Sequence, residues 1–123
     1  MYEIELPLLG FEDIKQLEIK KIDEFFSTLV LNKENNINFT IVNISYLEHA
    51  SFDFSINDDA LDRLHIRKRE DFDIYFCVVM QDPVEKSIVN LVAPILINNK
   101  FNLVGQYVIK EKIPRLFTNL RSD

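Results

Sequence analysis

The sequence predicts a small, mainly β domain: an antiparallel β-barrel or barrel-like sandwich carrying one short helix. Two observations lead there. Most apolar segments alternate with period two, the pattern of strands with one buried face. Short polar breaks rich in asparagine separate them, and only one stretch joins a helix cap to apolar residues at helical spacing. The chain has 123 residues, 47% hydrophobic and 28% charged. A domain of that size removes about two-thirds of its unfolded surface from water, enough to fold alone. No linker-like stretch and no internal repeat divides it, so residues 1–123 are expected to form one domain.

In chain order, Tyr2 to Leu6 sets Glu3 and Glu5 against Ile4 and Leu6. Leu17 to Lys20 repeats the alternation after an expected helical turn at Glu12 to Gln16. Phe25 to Leu31 and Ile37 to Ile44 flank Asn32-Lys33-Glu34-Asn35-Asn36, a hairpin loop by composition, because asparagine tolerates positive φ. Ser51 to Phe54 reads as a further short strand. Asn57 caps a helix from Asp58 to about His65, with Asp58 and Asp59 at its positive end and Ile56, Ala60, Leu61 and Leu64 on one face. Asp71 to Gln81 is apolar on both alternations at its centre, which suits a strand covered on both sides. Ile88 to Ile97 and Phe101 to Ile109 flank the turn Asn98-Asn99-Lys100, and Pro94 belongs at a bulge or an edge because it lacks a ladder donor.

Composition narrows the function. Fourteen basic against twenty acidic residues leave the chain at −6, which opposes direct binding of nucleic acid. Acidic residues flank the first apolar residues where a signal peptide would be basic, and no apolar run reaches the roughly 20 residues of a membrane helix, so the expectation is a cytoplasmic protein without membrane contact. One cysteine, Cys77, excludes an internal disulfide and a cysteine-based zinc site, and its apolar neighbours suit a buried, inert thiol. His49 and His65 fit no local metal spacing and read as surface or capping residues. No glycine-rich phosphate loop is present. These readings predict no catalytic, metal-binding or cofactor-binding residues and no small-molecule substrate.

Charge is unevenly distributed. Residues 1–62 carry a net −9 and residues 63–123 a net +3. Glu48, Asp53, Asp58, Asp59 and Asp62 lie in a stretch without Lys or Arg, either as a solvated face or as a docking surface for a basic partner. Arg67-Lys68-Arg69 is followed at once by Glu70, Asp71 and Asp73, which reads as an exposed loop that pairs locally.

The run Val89-Asn90-Leu91-Val92-Ala93-Pro94-Ile95-Leu96-Ile97-Asn98, with Gly105-Gln106 seven residues on, resembles the C-terminal signature of the FliW family of flagellar assembly factors. That signature is of the type Asn-Leu-x-Ala-Pro-Ile-x-Ile-Asn, then Gly-Gln or Gly-x-Gln. Leu8-Leu9-Gly10-Phe11-Glu12-Asp13 is similar to the family's Pro-Gly-Phe-Glu segment, and the likeness spans roughly residues 6–110. Phe26-Ser27-Thr28-Leu29 departs from the family's Leu-Gln-Ser segment. Leu91, Ile95 and Ile97 share one strand face, Asn90 and Asn98 bond to turn backbone, and Gly105 marks a bulge or close approach. Gly10, Phe11, Asn90, Leu91, Pro94, Asn98, Gly105 and Gln106 are thus scaffold residues or partner contacts.

The resemblance implies a non-enzymatic protein with two protein partners. One is flagellin. The other is CsrA, a basic, dimeric RNA-binding translational repressor that the family antagonises, coupling flagellin synthesis to its secretion. On that implication Asp53, Asp58, Asp59 and Asp62 face the regulator. Two alternatives stand beside it: a cytoplasmic flagellin chaperone without a regulator, and a small β-barrel enzyme or ligand-binding domain.

Overall fold

A computed structural model of the chain describes residues 1–47, 54–113 and 116–120. Among the described residues, nine strands form one sheet: β1 (Tyr2–Leu6), β2 (Gln16–Lys21), β3 (Phe26–Asn32), β4 (Ile37–Asn43), β5 (Asp73–Val79), β6 (Ile88–Asn90), β7 (Ile95–Asn98), β8 (Leu103–Gln106) and β9 (Phe117–Asn119). The order β4-β3-β2-β1-β8-β7-β5 closes through a β4–β5 pairing into a seven-stranded barrel, and β6 and β9 continue the sheet from β5 outside it. Every pairing is antiparallel except β1 with β8. The expected antiparallel barrel with one short helix is present, and its β1–β8 pair is parallel because the first strand meets a strand from the far end of the chain rather than a hairpin partner.

The alternation read from the sequence sorts side chains into two cores. Ile4, Leu17, Leu29, Ile41, Cys77, Ile97 and Val104, one from each barrel strand, belong to the inner core. Ile74 and Phe76 of β5, Leu96 of β7 and Leu103 of β8 point the other way. They are covered by Ala60 and Leu64 of the helix α1 (Asp58–Arg63), by Val89 of β6 and by Leu120. Strand β5 is therefore buried on both faces, as its unbroken apolar centre predicts.

Two expected elements change form. Ile88 to Ile97 is not one strand: Val92 to Pro94 leave the β5 ladder and pair with the chain after β8, where the Tyr107 N–H donates to the Pro94 carbonyl and the Ile109 N–H to the Val92 carbonyl, both at 2.9 Å. This break puts Leu91 in the outer core while Ile95 and Ile97 stay inside the barrel, so the three do not share a face. Glu12 to Gln16 forms no helix; two reverse turns, closed by the Phe11 N–H to the Leu8 carbonyl and the Ile14 N–H to the Phe11 carbonyl, fill the connection. The expected strand at Ser51 to Phe54 lies outside the described residues except for Phe54, which is buried in a bend. Strand β9 was not anticipated. Asn36, in the first asparagine loop, sits at φ of 54° as expected. The second turn runs further than expected, through residues 99–102 with Asn102 at φ of 55°, so β8 starts at Leu103 and ends at Gln106 instead of spanning Phe101 to Ile109.

Candidate functional site

Three features of the surface stand out, and each is built by a different part of the sheet. The first is the outward face of α1. Asn57 Oδ1 accepts from the Ala60 N–H at 2.8 Å, the N-cap the sequence predicts. The Tyr107 hydroxyl accepts from the Asn57 N–H at 3.1 Å and donates to the Ser55 carbonyl at 3.0 Å, which fixes the entry to the helix. With Ala60 and Leu64 turned to the core, helical spacing leaves Asp58, Asp59 and Asp62 exposed together. Only Asp59 of the three is in an ion pair among the described residues, with Arg63 at 2.9 Å. Asp53 and His49 fall outside the described residues.

The second is an apolar groove of about 310 Å3 at one end of the barrel. Leu8, Leu29, Phe39 and Ile95 floor it, and Leu9, Val79, Ile88 and Phe117 rim it. Val79 and Phe117 are 61% and 55% exposed, unusual for side chains of their size in the company of other apolar groups. Cys77 also lines the groove, and burial pushes its thiol up to about 11, so it is a neutral apolar wall and not a nucleophile at ordinary pH. The rim ends on β9, whose outer edge pairs with no other described strand. Three signature residues, Phe11, Asn90 and Gln106, line this groove. The groove as a whole has no sequence pattern of its own, because its lining is spread over separate segments from Leu8 to Phe117. The signals were exposed apolar residues at strand ends, Val79-Met80 and Phe117, which alternation alone assigns to strands without placing them.

The third is a cleft between the end of α1 and the β7–β8 turn, where Arg67 and Lys68 stand. The loop does pair locally, but through its backbone: Asp71 accepts from the N–H groups of Arg67 and Lys68 at 2.8 and 3.1 Å. The bond from Arg67, joined by the nearby positive charges, holds the Asp71 carboxyl below the usual carboxylate range. Arg69 instead donates to the Phe72 carbonyl at 2.7 Å and stacks on the Phe72 ring.

Of the signature residues, Phe11, Asn90 and Gln106 line the groove and Asn98 lines the cleft, and the polar side chains among them bond within the chain itself. Asn98, buried, donates to the carbonyls of Leu64 and His65 at 2.8 and 3.2 Å and accepts from the N–H groups of Lys100 and Phe101. Gln106 Nε2 donates to the Ala93 carbonyl and its Oε1 accepts from the Leu9 N–H. Asn90 Oδ1 accepts from the Val92 N–H across the strand break. Gly10 has φ of 86°, and Gly105 has no room for a side chain, since a Cβ there would stand 2.5 Å from the Cβ of Leu6. The β1 register slips at the same point, so the close approach and the bulge coincide. Leu91 and Pro94 are buried, and Phe11 stacks edge-on to Phe39 at 5.3 Å.

Among the described residues no three His, Cys, Asp or Glu side chains converge as metal ligands would, and no helix is long and apolar enough to cross a membrane. The fold and its flank define a class: closed seven-stranded β-barrels with a short helix and two added strands. Comparison with known proteins gives the particular member. A family model described as "FliW protein" matches residues 1–117. The chain is 31% identical over 110 residues to the flagellar assembly factor FliW of Sulfurimonas denitrificans, covering 89% of this chain and 86% of the relative. It is 36% identical over 98 residues to flagellar assembly factor FliW 2 of Helicobacter hepaticus, covering 79% and 70%. A crystal structure of the flagellar assembly factor FliW superposes with a TM-score of 0.85 at 23% identity, covering 98% of this chain and 85% of that one. The chain belongs to the FliW family of flagellar assembly factors.

Proposed function

We propose that this protein regulates flagellum assembly by binding two other polypeptides, flagellin and the translational repressor CsrA, so that flagellin synthesis follows its secretion. The observation that carries the reading is the α1 face, where Asp58 and Asp62 stand exposed without ion-pair partners among the described residues. A repressor that grips RNA must display Arg and Lys, and a negative face on a rigid helix attracts and orients such a partner. Asp53 belongs to this proposed face by sequence. The apolar groove and the outer edge of β9, unpaired among the described residues, suit flagellin, because a segment that orders on binding needs apolar pockets and backbone partners. In this reading the signature residues are scaffold: they hold the loops that shape both surfaces.

The test is binding of the purified protein to each partner by calorimetry. Replacing Asp58, Asp59 and Asp62 with lysine should weaken the repressor by tenfold or more, about 1.4 kcal/mol, and leave flagellin nearly unchanged. Replacing Val79 and Phe117 with serine should do the reverse. Equal loss of both partners from either set, with the circular dichroism spectrum intact, would refute the division of surfaces. Reciprocal weakening of one partner by the other is required if the two sites are linked.

A further inference from the structure

We propose that the cleft between the end of α1 and the β7–β8 turn is a docking site for an acidic segment of a partner polypeptide, gripped by Arg67, Lys68 and Lys100 over an apolar floor. The cleft has a volume of about 770 Å3, and Leu61, Ile66 and Phe101 supply its apolar lining. None of these three cations is in an ion pair among the described residues, although the chain carries more acids than bases. Asp62 and Asp71 also line the cleft, so one positive charge is in surplus there on a protein whose total is −6. Asp71 is already committed to the backbone N–H groups of Arg67 and Lys68, which fixes the loop that carries the two side chains.

The two walls are braced before anything binds. The buried Asn98 side chain donates across to the carbonyls of Leu64 and His65 on one wall and accepts from the N–H groups of Lys100 and Phe101 on the other. The ring of His65 packs edge-on against Phe101 at 4.9 Å, a second tie between the walls, with Lys100 lying 5.6 Å over the same ring. His65 reaches this position by adopting φ of 56° where the chain leaves the helix. A cleft already held in shape loses little conformational freedom on binding.

Charge complementarity favours a short acidic peptide over a nucleic acid. A polyanion leaving the cleft along α1 would meet Asp62, Asp59 and Asp58, within about 10 Å where screening is incomplete. A few carboxylates flanking an apolar side chain match both the surplus charge and the apolar floor. The inference goes beyond the acidic face, with which the cleft shares only Asp62: it places a contact of opposite sign at the other end of the same helix, so that a partner with both charges docks in one orientation.

The experiment is fluorescence anisotropy with a short fluorescein-labelled peptide bearing Glu and Asp around a Leu-Phe pair. A peptide with lysine at the acidic positions and an oligothymidylate serve as competitors, and amide chemical shifts locate the binding. The acidic peptide is expected to bind, with affinity falling as salt rises and shifts confined to residues 61–71 and 98–101. The Lys68→Glu, Lys100→Glu double variant should lose about tenfold, while Lys20→Glu on β2 should lose nothing. Glutamine replacements of Arg67, Lys68 and Lys100 give the same readout if charge reversal disturbs folding. No binding by the acidic peptide, undiminished binding by the variants, or preference for the lysine peptide or the oligonucleotide would overturn the proposal.

Discussion

At the scale of single residues, the signature glycine Gly105 serves packing. Gly105 lies where β1 and β8 run side by side in parallel, and any Cβ there collides with Leu6. Gly105→Ala should therefore destabilise the fold by about 1–3 kcal/mol, the range for overpacking a tight site, and urea melts would show the loss as a lower midpoint at unchanged slope. A midpoint equal to the parent's would mean that β1 gives way at no cost. Cys77 offers a check by chemistry. Its folded pKa is raised, so the thiol keeps its proton in the folded chain at a pH where the unfolded chain has lost it. The contribution to stability is complete below the ordinary thiol value of 9.0 and lost as pH rises toward about 11. Alkylation by iodoacetamide at mildly alkaline pH should be slow in the native protein and rapid in urea; equal rates would place the thiol in solvent.

The elements show which local signals survive folding. The N-cap of α1 is purely local, and its hydrogen bond from the Ala60 N–H appears where the sequence puts it. Asn57→Ala should cost about 1 kcal/mol, read by thermal melting, and, in the proposed reading, should also reduce repressor binding, since the helix presents Asp58, Asp59 and Asp62. Asn57→Asp should restore stability, because an aspartate caps equally well. The run from Ile88 to Ile97 behaves differently. Its alternation is continuous in sequence, yet Leu91 and Ile95 end in different cores because the backbone at Val92 to Pro94 changes ladder. Pro94 announced an irregularity, and only the partner strand decided that it would be a switch of sides. Strand β9 escaped notice for a related reason: Phe117 to Asn119 is short and gains its ladder only by lying beside β6.

At the scale of the whole molecule, charge and topology act together. A −6 chain with its acids gathered toward the first half presents a field that a basic partner feels before contact. In the proposed reading, association with the repressor should slow by about tenfold or more when salt is raised from low to several times physiological strength, with a smaller change in dissociation. Stopped-flow measurement decides it; a flat salt dependence would remove electrostatic steering from the account. Flagellin, seated on an apolar groove in the proposed reading, should show the weaker dependence.

The sequence by itself determined the strand-rich character, the asparagine turns, the capped helix with its acidic face and the family, because each is written in residues close together along the chain. Closure of the barrel through β4–β5 and the parallel β1–β8 pair came only from the tertiary structure. So did the apolar groove, whose rim joins Leu9, Val79, Ile88 and Phe117, and the cleft braced by Asn98. Such features depend on which distant strands become neighbours, a choice made by burying two cores at once, and local pattern carries no record of it.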